Sequence, residues 1–328
     1  MSKNRVTEIL NIKYPVVQAS MSWITSAELA AAVSNAGGMG VLGPNAGQTT
    51  LTTDPVETAE RMRREIRKTK ELTDKPFAVQ YFIPFQGDPQ GFSSKVLQVI
   101  REEDIKYLLV LGMGLGNEVE EVKNLKNEGF TIIYRDLNPT VESAKNIEAA
   151  GADIIIATGY DEGGGLPAHS IGTMTIVSLI SDAVNIPVLA AGGIVDNRGV
   201  KASMILGAEG VYIGTRFVAS KECPASDITK QDIINAKTVD LVEFKAMPSW
   251  RCTPHKLSLE LYSMDQNGAT REEINAKMGD VGGIRSGMLE GNLDNGINTV
   301  SNAIELIKDI KSCKEIVEEL IKDLAFSC

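Results

Sequence analysis

The stretch IPVLAAGGIVDNRGVKASMILGAEGVYIGTRF, residues 186–217, decides the fold. An apolar run at 186–191 ends on Gly192 and Gly193, and a helix-like segment carrying Val200, Met204, Ile205 and Leu206 follows. A second apolar run at 210–213 then closes on Gly214 and Thr215. Strand, turn, helix, strand, turn is one βα unit feeding another. Both runs are apolar throughout instead of alternating, as expected of parallel strands covered on both faces. Each ends in small residues, so the amide N–H groups past the strand are open to an anion. Two neighbouring strand ends of this kind predict a phosphate cradle at the carboxyl end of a parallel barrel.

Working upstream, six more short apolar runs occur at residues 14–18, 39–42, 77–82, 107–111, 131–134 and 153–157. Helical patterns separate them at about 26–35, 55–69, 93–103, 118–127, 140–150 and, after the sixth run, 173–184. Ser26 and Asp54 are placed as N-caps, with Pro55 at the first helical position. A Gly/Pro loop at 84–91 leaves the third run. Eight strands alternating with helices over short connections predict a (β/α)8 TIM barrel more strongly than an open sheet. The run Gly112-x-Gly114-x-Gly116 has the wrong spacing for a dinucleotide fingerprint, and Asp136 lies beyond the position where that motif needs an acid.

After Phe217 the rhythm breaks. Residues 221–295 are expected to form an inserted, mainly helical lid, with helices at 227–237 and 270–278 and an irregular piece at 244–261. Residues 1–220 and 296–328 then make the barrel. A long amphipathic helix from Gly296 is expected to carry Ile297, Val300, Ile304 and Ile307 back to it, ahead of a terminal helix at 314–325.

The 328 residues carry a net charge of −10. The one basic run, RMRREIRKTK at 61–70, is interleaved with Met62 and Ile66 and reads as the wet face of a helix, so no nucleic-acid partner is expected. Cys223, Cys252, Cys313 and Cys328 are scattered without metal-ligand spacing, which predicts reduced thiols and no metal. MSKNRVTEIL lacks a signal-peptide core, and no window reaches the roughly 18 apolar residues of a membrane span. A soluble, cytoplasmic protein with no membrane partner is expected.

Five segments together carry a resemblance: PVVQASMSW (15–23), AELAAAVSNAGGMGVLG (27–43), KPFAVQ (75–80), AGADIIIATGYDEGGG (150–165) and the stretch at 186–217. The chain resembles the FMN-dependent barrel family of nitronate monooxygenases, also called 2-nitropropane dioxygenases, together with the flavin-type enoyl-acyl-carrier-protein reductases and related NAD(P)H:quinone reductases. The resemblance implies FMN as cofactor and NADH or NADPH as electron donor. It implies that Ala19, Ser20 and Met21 back the flavin ring, and that Gln80, where relatives often carry Asn, faces it. Glu162 and Gly164 fall in the acidic glycine loop that lines the flavin. Gly192, Gly193, Gly214 and Thr215 match the phosphate sites, in agreement with the cradle read directly from the strand ends.

Two departures stand out. Relatives commonly read Glu-x-Gly-Gly-His, with a catalytic His directly after the glycines. Here Glu162-Gly163-Gly164-Gly165 is followed by Leu166, Pro167 and Ala168 before His169, the candidate base. Near the C-terminus, Thr299-Val300-Ser301-Asn302 stands where relatives have a small-residue turn with Gln. The other histidine, His255, lies in the lid beside Trp250, Arg251 and Lys256.

The expected activity is an FMN-dependent oxidoreductase, of nitronate monooxygenase or NAD(P)H:acceptor reductase type. Its substrate is expected to be small: a nitronate, a quinone or an enoyl thioester. The alternative is an NAD(P)H-dependent enoyl-acyl-carrier-protein reductase, for which Lys245, Arg251 and Lys256 offer a thin basic entrance for an acidic carrier protein. Rival readings are a flavin-binding protein without turnover and a phosphosugar barrel using the same cradle. A homodimer is a family-level expectation only.

Overall fold

All eight apolar runs are strands, and they close on themselves. The computed structural model describes residues 4–84, 91–279 and 283–324. Within these, β1 is Val16–Gln18, β2 Gly40–Leu42, β3 Phe77–Phe82, β4 Tyr107–Gly112, β5 Thr131–Asp136 and β6 Ile154–Thr158. A short strand in the glycine loop, β7 (Gly164–Leu166), precedes β8 (Val188–Ala191) and β9 (Gly210–Ile213). The parallel order is β1-β9-β8-β6-β5-β4-β3-β2. Closure comes from Gln18 N donating to Met39 O and Met39 N donating to Val16 O, both at 2.9 Å. The result is a (β/α)8 TIM barrel.

The continuous apolar runs are needed because every strand is covered twice. Val17, Val41, Leu109, Ile133, Leu189 and Tyr212 meet in one buried interior cluster. The helix Arg5–Leu10 adds fully buried Val6 and Leu10 to that cluster. It lies at the amino ends of the strands, where Asn4 Nδ2 donates to Glu209 O at 2.7 Å. Six residues are too few to show a period, so this plug was not visible in the sequence. Around the barrel run the helices Ala27–Asn35, Pro55–Leu72, Phe92–Glu102, Glu118–Asn127, Val141–Ala150, Thr173–Ser181 and Asn197–Ile205. Ser26 and Asp54 cap the first two as their side chains predict.

The glycine run after β4 is not an open anion site. The Glu118 carboxylate accepts from Leu115 N at 2.6 Å and from Gly116 N at 2.8 Å, so the chain supplies its own anion there.

The segment expected as a mainly helical lid holds more strand than its composition suggested. Here β10 (Val242–Phe244) pairs antiparallel with β11 (Ser249–Cys252), and β11 pairs with β7 from the barrel side. The piece expected to be irregular is β11 followed by the helix Lys256–Gln266. A strand as short and polar as Ser-Trp-Arg-Cys gives no alternation to read; it exists because β7 and β10 flank it. The other lid helices are Asp227–Asn235 and Arg271–Met278. Phe244, Cys252, Leu257, Leu261, Ile274 and Ile297 form the lid's own core.

The long helix expected from Gly296 is absent. Ile297, Val300, Ile304 and Ile307 are buried as the spacing implied, but only Ile304–Leu306 makes a single 3-10 turn. The backbone before it is taken up by tertiary bonds: Thr253 N donates to Asn298 O (3.0 Å), Val300 N to Arg251 O (3.2 Å) and Asn302 N to Asp161 O (3.3 Å). Helical spacing was satisfied by an extended segment threading between two layers. The terminal helix is Cys313–Leu320; its expected end at 325, the Gly/Pro loop at 85–90 and Cys328 lie outside the described residues. No helix among the described residues is long and apolar enough to cross a membrane.

Candidate active site

A cavity of about 380 Å³ opens at the carboxyl ends of the strands beneath the lid. Ten expected cofactor residues line it together. Ala19, Ser20 and Met21 come from the loop after β1, Gln80 from β3, and Glu162 and Gly164 from the glycine loop. Gly192 and Gly193 follow β8, and Gly214 and Thr215 follow β9. Topology explains the convergence, because a parallel barrel brings all its strand-end loops to one face.

The cradle is built from main chain. Among the described residues, no hydrogen bond claims the amides of Gly192, Gly193, Gly214 or Thr215. Gly192 has φ +102°, and a Cβ there would stand 2.8 Å from the carbonyl oxygen of Gly159. Only glycine keeps this turn open. A methyl group at Gly214 would meet Ala19 Cβ at 3.4 Å and Met21 Sδ at 3.7 Å, which puts the first loop directly beside the cradle. Uncommitted N–H groups at adjacent strand ends next to an apolar Met side chain fit a phosphorylated, flat aromatic group such as FMN.

Ser20 ties the first loop to two strands. Its amide donates to the Tyr212 hydroxyl at 2.9 Å, and its hydroxyl donates to Gln80 Oε1. Gln80 is therefore held by its carbonyl oxygen at the cavity wall.

The charged pair at the cavity is Arg135, at the end of β5, with Glu162. Arg135 Nη2 donates to Glu162 Oε2 at 2.5 Å, with both side chains largely buried. Among the described residues, Glu162 Oε1 and Arg135 Nε have no hydrogen-bond partner. Burial pushes the Glu162 carboxyl up to about 7, against the pull of Arg135 and Arg251. Arg251, on β11, donates from Nη1 to the main-chain carbonyl of Glu162 (2.7 Å), from Nη2 to that of Tyr160 (2.9 Å) and from Nε to Glu243 Oε1 (2.7 Å). Its neighbour Asp161 accepts from Thr173 N and Asn302 Nδ2, both at 2.7 Å; these bonds outweigh burial and hold its carboxyl below the ordinary value. At Gly165 the lid leaves no room for a side chain, since a Cβ there would lie 2.4 Å from Pro248 Cγ.

His169 is not brought to the cavity. It is exposed and sits by a separate crevice with Asn138, Pro139 and Ile171. The pairing of β7 with β11 draws the chain toward the lid, so His169 emerges on the surface beyond it. His255 lies at the N-cap of the helix Lys256–Gln266, with Nε2 at 2.9 Å from Asp232 Oδ1. The basic set is corrected as well: Lys245 and Lys256 are exposed, but Arg251 is buried and committed to the glycine loop.

Sequence reasoning missed Arg135, Tyr212, Thr299 and Ser301, all at the cavity wall. Arg135 was missed because the apolar run ends at residue 134, whereas β5 extends to Asp136. Thr299 Oγ1 accepts from Gly164 N at 2.8 Å, and Ser301 N donates to Thr215 Oγ1 at 3.1 Å. The segment that departs from the resemblance thus braces both the glycine loop and the cradle.

Comparison with known proteins agrees with this geometry. The family model described as nitronate monooxygenase matches residues 3–323. A probable nitronate monooxygenase of Staphylococcus saprophyticus is 36% identical over 275 residues, 73% of this chain and 74% of that protein. FabK from Thermotoga maritima superposes with a TM-score of 0.84 at 31% identity, covering 98% of this chain and 96% of that one. Nitroalkane oxidase from Streptomyces ansochromogenes shares the fold, with a TM-score of 0.79 at 22% identity over 98% and 97% of the two chains.

Proposed function

This chain belongs to the nitronate monooxygenase family, and from that premise we propose that it is an FMN-dependent oxidoreductase acting on a nitronate at the mouth of the barrel. The observation that carries the reading is the set of uncommitted amides at Gly192, Gly193, Gly214 and Thr215, beside Met21 and Gln80 in one cavity. Bound FMN would supply a reversible two-electron store.

The chain's own residues supply placement. The four amides would hold the phosphate through main-chain donors, as at other barrel phosphate sites. Ala19, Ser20 and Met21 back the ring, and the Ser20 bonds to Tyr212 and Gln80 fix their position. Trp250, on the lid strand β11, also lines the cavity and would help to exclude water from the bound ring. His169 stands outside this arrangement, so proton traffic falls to groups within the cavity.

A second reading, NAD(P)H-dependent reduction of an enoyl thioester, is favoured by an annex. A further cavity of about 250 Å³, lined by Met62, Tyr81 and Val96 among others, shares Pro44, Gln80 and Phe82 with the first. It is mostly apolar and has room for an alkyl or acyl tail. Of the three cations expected to form a basic entrance for an acyl carrier protein, Lys245 and Lys256 are exposed on the lid and Arg251 is not.

The test is anaerobic. The purified protein is expected to show a flavin spectrum that a nitronate bleaches. Bleaching by NADH or NADPH together with turnover of crotonyl thioester would select the second reading. A colourless protein that takes up no FMN would overturn both.

A further inference from the structure

We infer that Glu162 is a redox-linked proton carrier, whose carboxyl takes up a proton when the cofactor beside it is reduced and releases it on reoxidation. This rests on the proposed FMN reading and adds a role that placement alone does not give.

The geometry is that of a carboxylate left one bond short. Glu162 is 8% exposed and lines the cavity. Among the described residues, its Oε2 receives a single charge-assisted bond from Arg135 Nη2, while Oε1 receives none. Arg135 has an unused Nε, so the two-armed pairing open to an Arg and a carboxylate is not made. The second cation nearby, Arg251, sends its three arms to Glu243 and to the main-chain carbonyls of Glu162 and Tyr160, and none to the Glu162 carboxylate.

A buried carboxylate with one bond is poorly compensated. The remaining groups around the pair do not add compensation. Tyr212, from β9, is a hydroxyl held against Ser20, and Asp136, next along β5, is itself acidic and acts on Arg135. Burial accordingly pushes the Glu162 carboxyl up to about 7, which balances its two forms near neutral pH. Added negative charge in the cavity tips such a group toward the protonated form. Oε1 can accept that proton without breaking an existing bond.

The balance is simple. Two electrons come from the substrate in turnover, or from dithionite in the test below. One proton from solvent forms the Oε1–H bond, and the same bond breaks on reoxidation to return it.

The experiment is a potentiometric titration of the FMN-loaded protein against pH. The wild type is expected to take up as much as one more proton per electron pair than Glu162→Gln in a window that opens at about pH 7 and closes where the reduced protein also loses the proton. Glu162→Asp is expected to keep the extra proton but move the pH at which it is taken up. Parallel profiles for wild type and Glu162→Gln would overturn the inference while leaving the proposed function standing. If the Gln variant does not retain FMN, an Asp profile identical to wild type would overturn it instead. A wild-type protein that takes up no FMN would overturn this inference and the proposed function together.

Discussion

Arg251 Nη1 lies 2.7 Å from the main-chain carbonyl of Glu162, so a buried lid side chain holds the loop that lines the cavity. The same guanidinium sits 5.2 Å from the Tyr160 ring centre and pairs with Glu243, which in turn accepts from the Tyr160 hydroxyl at 2.9 Å. The backbone joins in, since Arg251 is opposite Gly164 in the pairing of β11 with β7. Lid and glycine loop are thus one mechanical unit.

Replacing Arg251 by Met removes the donors of two buried carbonyls. Hydrogen bonds to a charged group contribute about 1.5–3 kcal/mol each, so Arg251→Met is expected to cost roughly 3 kcal/mol and to weaken FMN binding. Urea unfolding and a flavin titration measure the two effects. A loss below about 0.5 kcal/mol, the range of an ordinary surface change, would contradict the clamp.

Gly192→Ala and Gly214→Ala are expected to separate folding from cofactor binding. The first forces a side chain into φ +102° and into the Gly159 carbonyl, which should cost about 1–3 kcal/mol and abolish FMN retention. The second makes only ordinary contacts, so thermal stability should stay near wild type while the methyl group beside the cradle weakens FMN binding. Equal melting temperatures for the two variants would contradict this account.

His169→Ala is expected to leave steady-state turnover within about twofold of wild type, because the imidazole is exposed and outside the cavity. General acid–base catalysis contributes about 10²–10⁴-fold. A drop of that size would show that the loop rearranges and that His169 is the base.

Glu162 makes folding depend on pH in a definite direction. Its folded value of about 7 lies above the ordinary 4.5, so the folded chain holds the proton more tightly than the unfolded chain. The resulting stability is fully present below about 4.5 and is lost as pH rises through about 7. At about 1.36 kcal/mol per unit, the change is roughly 3 kcal/mol. Urea midpoints of the flavin-free protein across this range should fall with pH more steeply for wild type than for Glu162→Gln. A constant difference between the two would contradict it.

The eight barrel strands were legible because each contains a short, mostly apolar run, as burial on both faces favours. That Gly192, Gly193, Gly214 and Thr215 share one cavity was legible for a related reason: glycines directly after such runs in a barrel sit at the loops of its carboxyl face. The lid sheet was not legible. Ser249–Cys252 becomes a strand only through its partners, and the helical spacing of Ile297, Val300 and Ile304 was met by an extended segment. Local pattern reports burial, not the hydrogen-bond partners that complete the backbone.

For this protein, sequence alone determined the eight-stranded barrel and the face at which Gly192, Gly193, Gly214 and Thr215 gather, because apolar runs and strand-end glycines are local properties. The other six cavity residues came from the family resemblance. Tertiary structure alone decided that β7 pairs with the lid, that His169 is carried to the surface, and that Glu162 meets Arg135 with one carboxylate oxygen unclaimed. Those outcomes depend on contacts between residues far apart in the chain, whose geometry no single segment encodes.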